Sequence, residues 1–242
     1  MKRLDSALFP FYNHNKCGSS IIHNVIQMTK EDNLNNWFCA LFKSPSQFRS
    51  RDKFLARLFG IFSEEIVRIW CKSKNASYDD IGRPRIFIPP SKKGYTLDFT
   101  LKSRNDGNFY IAEMKCWVEY QNYKFLTLQS ANQLEELSNA AFDAFLTVAK
   151  NPSHCQVTVD GEKRHIKGAI LIWGDVSESG RKDVQKKTGI SKVLSLKEMI
   201  DDLIAWESES YIDFLNKRSA WCNDFFKSLS HGESKNQKRR KK

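Results

Sequence analysis

Glu113 and Lys115 stand two residues apart in FYIAEMKCW, the run at 109–117 that is otherwise apolar. A charge in such a run costs stability unless it is paired or put to use. Asp98 has a similar place in YTLDFTL at 95–101. There Leu97, Phe99 and Leu101 alternate with Thr96, Asp98 and Thr100, which puts Asp98 on the polar face of a half-buried strand. By the same period of two, Glu113 and Lys115 share a face of the next strand. Between the strands lies Arg104-Asn-Asp-Gly107, a hairpin turn signal.

The turn decides whether the three side chains meet. A two-residue Asp106-Gly107 loop pairs Asn105 with Asn108 and sets Asp98 opposite Lys115. A two-residue Asn105-Asp106 loop sets Asp98 opposite Glu113. Both place all three on one face, and a three-residue loop separates them. The turn chemistry favours the first loop. Two neighbouring carboxylates repel, and one would hold its proton. A divalent cation removes the conflict, and hard oxygen ligands with room for water describe Mg²⁺. A lysine beside the ion can orient or deprotonate a water and stabilise charge building on a phosphate. These are the parts of a phosphodiester hydrolysis centre. The bland counterpart is a salt-bridged triad on a solvent-facing sheet, where each pair contributes only a fraction of a kcal/mol.

The surrounding pattern supplies elements to hold them. Thr29-x-x-Asp32 resembles a capping box before a short helix carrying Leu34, Trp37, Phe38 and Leu41. A longer helix runs from about 50 to 71, with Arg49, Arg51, Lys53 and Arg57 as a basic face at its start. A loop at 78–84 precedes strand-like runs at 85–88, 95–102 and 109–117. A long helix is expected over 127–150, and Asp160-Gly161 marks a second hairpin. Ala169–Trp173 (AILIW) reads as a strand buried on both faces. A short strand near Val193 and helices at 196–206 and 210–229 follow.

Composition narrows the partners. With 242 residues and 40% hydrophobic content, the chain can bury a core. A net charge of +11 suits a polyanion, and the tail at 231–242 holds six bases against one acid. None of the six cysteines forms a C-x-x-C pair, and the five histidines lack zinc spacing. Reduced thiols in a cytoplasmic protein are expected. No apolar run reaches signal-peptide form or the ~18 residues of a membrane span.

In this order the elements resemble the PD-(D/E)XK nuclease superfamily, whose core runs helix, three antiparallel strands, helix, strand. The resemblance covers about half the chain. Asp98 matches the first acid, on the second strand, and Glu113 and Lys115 match E-x-K on the third. Leu97 stands where the motif's name has proline. The resemblance implies an α/β fold: a restriction-endonuclease-like core with a central mixed sheet, flanked by helices, with extra N- and C-terminal helices. One domain would span 1–230, with its core at about 50–175, helical additions at 1–49 and 176–230, and a basic disordered tail at 231–242. The resemblance also implies a glutamate on the first helix. Gly60-Ile-Phe-Ser-Glu64 has the family's glycine-to-glutamate spacing, which selects Glu64. It further implies Mg²⁺, with Mn²⁺ as a substitute, on Asp98, Glu113 and the Met114 carbonyl, and cleavage that leaves 5′-phosphates. Lys115 would position or activate the water, and Glu64 would support a second metal or orient Lys115.

The expected partner is double-stranded DNA. Lys92 and Lys93 lie in a loop beside the proposed site, and Arg49, Arg51, Lys53 and Arg57 form a second candidate phosphate contact. Some relatives use a glutamine at the start of the helix after E-x-K, which points to Gln133 and Gln129. A type II restriction-type endonuclease is the leading expectation, and a homodimer would match a palindromic target. The alternatives are a structure-specific or repair nuclease of resolvase type, and a DNA-binding module that does not cut.

Overall fold

The computed structural model describes residues 53–116, 126–137 and 139–239, with side-chain positions from 59 to 229. The expected helix near residues 29–41, the bases Arg49 and Arg51, and residues 117–125 lie outside the described residues. The fold is mixed α/β.

Helix α1 (Lys53–Lys72) leads into a short strand, β1 (Tyr78–Asp80). Strands β2 (Pro84–Phe87) and β3 (Gly94–Thr96) follow, then β4 (Phe99–Ser103) and β5 (Phe109–Lys115). Next come β6 (Thr127–Leu128), a 3₁₀ segment Ala131–Leu137 and α2 (Ala140–Lys150). A hairpin of β7 (Gln156–Val159) and β8 (Glu162–Arg164) precedes β9 (Ile166–Trp173). The chain continues with β10 (Asp175–Val176), α3 (Glu178–Thr188), β11 (Lys192–Ser195), α4 (Leu196–Ala205) and α5 (Glu209–Arg239).

The main sheet has the order β1-β4-β5-β9-β11. Its β1/β4 and β4/β5 pairs are antiparallel, and its β5/β9 and β9/β11 pairs are parallel. The residues of β9 from Gly168 to Trp173 are all buried, as a strand covered on both faces requires. A four-stranded antiparallel sheet, β3-β2-β7-β8, stands beside it. One core cluster joins Ile111, Leu171, Trp173 and Val193 of the main sheet to Ile86 and Val157 of the second sheet. It also takes in Phe142, Phe145 and Val184 from α2 and α3. Elsewhere Arg68 of α1 lies over the Phe99 ring at 5.4 Å, and Trp70 stacks on Trp206 after α4. The Trp70 indole also donates to Asp202 at 2.8 Å.

Several expected elements differ. The first antiparallel strand of the main sheet is Tyr78–Asp80, a stretch that reads as loop from sequence. The run at 85–88 belongs to the second sheet instead. The run at 95–102 is two strands in two sheets, broken at Leu97-Asp98. Its alternation continues smoothly across the break, so periodicity alone does not reveal it. The expected long helix at 127–150 is β6, a 3₁₀ segment and α2. Leu126–Leu128 hydrogen-bonds toward β10, and Asn139 starts a new helix by accepting from the N–H groups of Ala141 and Phe142. The Asp160-Gly161 hairpin forms as expected, with both residues at positive φ. At the other end of the chain, α5 runs through Arg239, well into the stretch expected to be a disordered tail.

Arg104 ties the β4–β5 hairpin to the end of α1. Its guanidinium donates to the carbonyls of Cys71 (2.8 Å), Ser73 (2.6 Å) and Ala76 (3.1 Å), and to Asp79 at 2.6 Å. Carbonyls left unpaired at a helix C-terminus are thereby satisfied from another element. Arg104→Ala is expected to lower the unfolding free energy by about 1–2 kcal/mol, measured by urea denaturation. Arg104→Lys should recover only part of it, because one ammonium cannot span three carbonyls and a carboxylate.

Candidate active site

The site forms where the chain crosses from the second sheet to the main sheet. Leu97 still donates its N–H to Pro84 O at 3.1 Å, and Phe99 already pairs with Ala112. Asp98 sits between the two sheets. The β4–β5 register pairs Phe99 with Ala112 and Lys102 with Phe109. One step further along, that register sets Asp98 opposite Glu113. The loop that sets it is neither two-residue turn. Ser103 N–H donates to Asn108 O, and Gly107 N–H donates to Ser103 O, so Arg104–Gly107 form a four-residue loop with Gly107 at φ +70°. The favoured Asp106-Gly107 turn is thus corrected, because Asp106 accepts from the Asn108 N–H and leaves only Gly107 at positive φ. The same-face outcome is kept.

Asp98, Glu113 and Lys115 come together. Asp98 Oδ2 accepts from the Met114 N–H at 2.9 Å, and the Asp98 backbone in turn hydrogen-bonds the Glu113 carboxylate. Lys115 Nζ stands 2.5 Å from Glu113 Oε1 and 5.6 Å from the centre of the Phe142 ring. The face is interior rather than solvated: Thr100 is fully buried, and the Glu113 side chain is 8% exposed. Among the described residues, Glu113 is the only buried Asp, Glu, Lys or Arg. Burial raises its carboxyl above the ordinary range. The Asp98 charge pushes the same way, against the pull of Lys115 and the Asp98 backbone hydrogen bond.

Arg83 stands at the rim of this trio and carries no motif in the sequence. Its Nε donates to Leu97 O at 3.1 Å, and its Nη2 lies 3.5 Å from Asp98 Oδ1. Behind Lys115, the Cys116 thiol hydrogen-bonds Ser63 of α1, and burial pushes it up to about 12, which keeps it an inert thiol.

The other expected site residues are placed elsewhere or otherwise engaged. Glu64 is bound by Arg68 at 3.0 Å, which also holds Glu65 at 2.7 Å. Arg68 lies over Phe99, whose side chain points to the opposite face from Asp98. Gln133 is occupied by the backbone: its Oε1 accepts from Gln129 N–H (2.6 Å) and Ser130 N–H (3.1 Å), and its Nε2 donates to Thr127 O (3.1 Å). It is a clamp on the loop after β6. Lys92 and Lys93 are exposed in the loop between β2 and β3, with Lys93 Nζ 5.5 Å from the Tyr95 ring. Lys53 and Arg57 lie on the first two turns of α1.

Among the described residues, no three His, Cys, Asp or Glu side chains gather as metal ligands. The donors for a cation here are two carboxylates and main-chain carbonyls. That set fits Mg²⁺, which keeps several waters and takes one or two carboxylates. A cation would also offset the Asp98 repulsion that adds to burial in raising the Glu113 carboxyl. Also among the described residues, no helix is long and apolar enough to cross a membrane. No family model, curated protein or solved structure matches the chain.

The raised carboxyl has a consequence for stability. With its folded pKa above the unfolded value, Glu113 keeps its proton longer in the folded state. Its contribution is present below the unfolded range and is lost as pH rises through the folded pKa. Glu113→Gln cannot ionise and escapes that loss. Its stability relative to the wild type should therefore increase with pH from about 4 upward. Paired urea titrations at acid and neutral pH read this directly, and a difference that does not vary with pH would contradict it.

Proposed function

We propose that the protein is a Mg²⁺-dependent endonuclease that hydrolyses phosphodiester bonds in double-stranded DNA, of the type II restriction kind. The observation that carries the reading is the buried Glu113 held between Asp98 and Lys115. The element order supports it. Helix α1, antiparallel β1, β4 and β5, then α2 and parallel β9 follow the order of the PD-(D/E)XK core. The chain's net charge of +11 suits a polyanionic substrate.

Asp98, Glu113 and the Met114 carbonyl would hold Mg²⁺, or Mn²⁺ in its place. Bound there, the ion supplies Lewis-acid stabilisation of phosphate charge and an acidified water. Lys115 orients the attacking water and donates to the phosphoryl oxygen that gains charge. The water oxygen bonds to phosphorus in line as its proton passes to solvent, and the bond from phosphorus to O3′ breaks. The products are a 5′-phosphate and a 3′-hydroxyl, whose oxygen takes its proton from solvent. The centre of the Phe142 ring lies 5.6 Å from the Lys115 amino group, and the ring flanks it on the face it shares with Glu113. In a homodimer, a second site would serve the second strand.

Plasmid cleavage with Mg²⁺ and with EDTA tests the reading. Wild type should cut only with the metal, and Lys115→Ala should cut at least ~100-fold more slowly. Equal cutting by both proteins would remove Lys115 from the mechanism. Discrete fragments from long duplex DNA mark a restriction-type enzyme, and preference for junctions or flaps marks a repair nuclease. A non-cleaving module is favoured by one observation, the ion pair between Lys115 and Glu113 at 2.5 Å. Binding without cutting in either Mg²⁺ or Mn²⁺ would select it.

The metal itself has a separate readout. Millimolar Mg²⁺ or Ca²⁺ should raise the wild-type Tm by mass action. Asp98→Asn should abolish that shift, and differential scanning fluorimetry measures both.

A further inference from the structure

We propose that Arg83 is a phosphate-binding residue of this site, gripping the DNA backbone at the mouth above Asp98. The proposal rests on the nuclease reading and adds a residue to it.

The backbone around Arg83 is stapled on both sides. Ile81 N–H donates to Thr100 O at 2.9 Å, Thr100 N–H to Gly82 O at 2.7 Å, and Leu97 N–H to Pro84 O at 3.1 Å. Gly82 turns the chain at φ +113°, a conformation that favours glycine, and its N–H is held by Asp80 Oδ1 at 3.0 Å. Arg83 therefore leaves a fixed point on the strand crossover that also carries Asp98. Its Nε contact with Leu97 O aims the guanidinium along Asp98.

The ion pair with Asp98 does not account for the arginine. It is a single contact at 3.5 Å, and the Arg83 side chain is 56% exposed. Exposed pairs of this kind contribute little to stability. The two contacts use two of the five N–H donors of a guanidinium, which leaves the remainder turned toward solvent.

Electrostatics gives those donors a task. A phosphodiester approaching Asp98 and Glu113 meets two carboxylates. Lys115 and a bound cation would offset their charge from within, and Arg83 adds a positive charge at the rim, where the phosphate arrives. A guanidinium fork matches two phosphate oxygens, and its planar charge cannot be lost by deprotonation. Arg83 would thus hold the phosphate group at the distance where the water oriented by Lys115 can reach it.

The test is fluorescence anisotropy of a labelled duplex oligonucleotide, with Ca²⁺ in place of Mg²⁺, across a range of KCl concentrations. Arg83→Met should bind about 5-fold more weakly at low salt, and the slope of log K against log salt should fall by about one. Arg83→Lys should restore the slope, since it restores the charge. A wild-type slope in Arg83→Met overturns the proposal, and if urea stability falls at the same time, Arg83 is a structural partner of Asp98. Plasmid cleavage separates the two levels. Where wild type cuts and the slope is unchanged, the Arg83 assignment falls and the nuclease reading stands. Where wild type neither binds nor cuts, both fall.

Discussion

Burying Glu113 next to Asp98 is the constraint around which the rest of the molecule is arranged. An ionised carboxylate inside a protein carries a desolvation cost of several kcal/mol. Its nearest compensation is Lys115, which reaches the same oxygen from two residues along the strand. Asp98 adds to the cost and lessens it as well: its charge repels Glu113, and its backbone hydrogen-bonds the same carboxylate. Such a group survives only where the surroundings over-determine its position. Here the register of β4 on β5, the burial of Ile111 and Leu171, and the parallel pairing with β9 all do so.

The second constraint is the crossing between sheets. β3 and β4 would be one strand if Leu97 and Asp98 continued the ladder. Leu97 instead bonds to Pro84 in the second sheet, and Phe99 begins the main-sheet pairing. A residue at such a break has its side chain freed from regular packing while its backbone stays anchored at both ends. Asp98 can therefore reach the Met114 N–H, and Arg83 can reach Asp98. Arg104 performs the matching task at the far end of the hairpin by tying it to α1 and β1. The hairpin that carries the two carboxylates is thus held at both ends by arginines, Arg104 against the carbonyls at and just after the end of α1 and Arg83 at the rim.

Burial also separates the residues that could act from those that only hold. Gln133 resembles a site residue by position, yet each polar atom of its amide is committed to a backbone group of the loop after β6. Glu64 is on the expected helix, but Arg68 neutralises it against Phe99, across the sheet from Asp98. A residue type at the right spacing does not make a ligand when a nearer partner claims it. The same competition explains why Arg83 is inconspicuous in sequence. It is one base among many, and only the fold brings Asp98 to it.

The sequence by itself determined which residues are charged within apolar runs, that Ala169–Trp173 is buried on both faces, and that Glu113 and Lys115 share a face. These follow from alternation with a period of two, a local property. Whether Asp98 joins them depended on the loop, and the four-residue Arg104–Gly107 loop decided it. The sequence also located β5, the core of β9, β11 and the two helices after β11. Only the tertiary structure decided that β1 completes the main sheet, that the run at 95–102 divides between two sheets, and that the polar face is interior. Each of these depends on which distant strand supplies the hydrogen-bond partners, and residues near in sequence carry no record of that choice. The pairing of Glu64 with Arg68 and the reach of Arg83 to Asp98 belong to the same class, because side-chain partners are settled only after the sheets have packed.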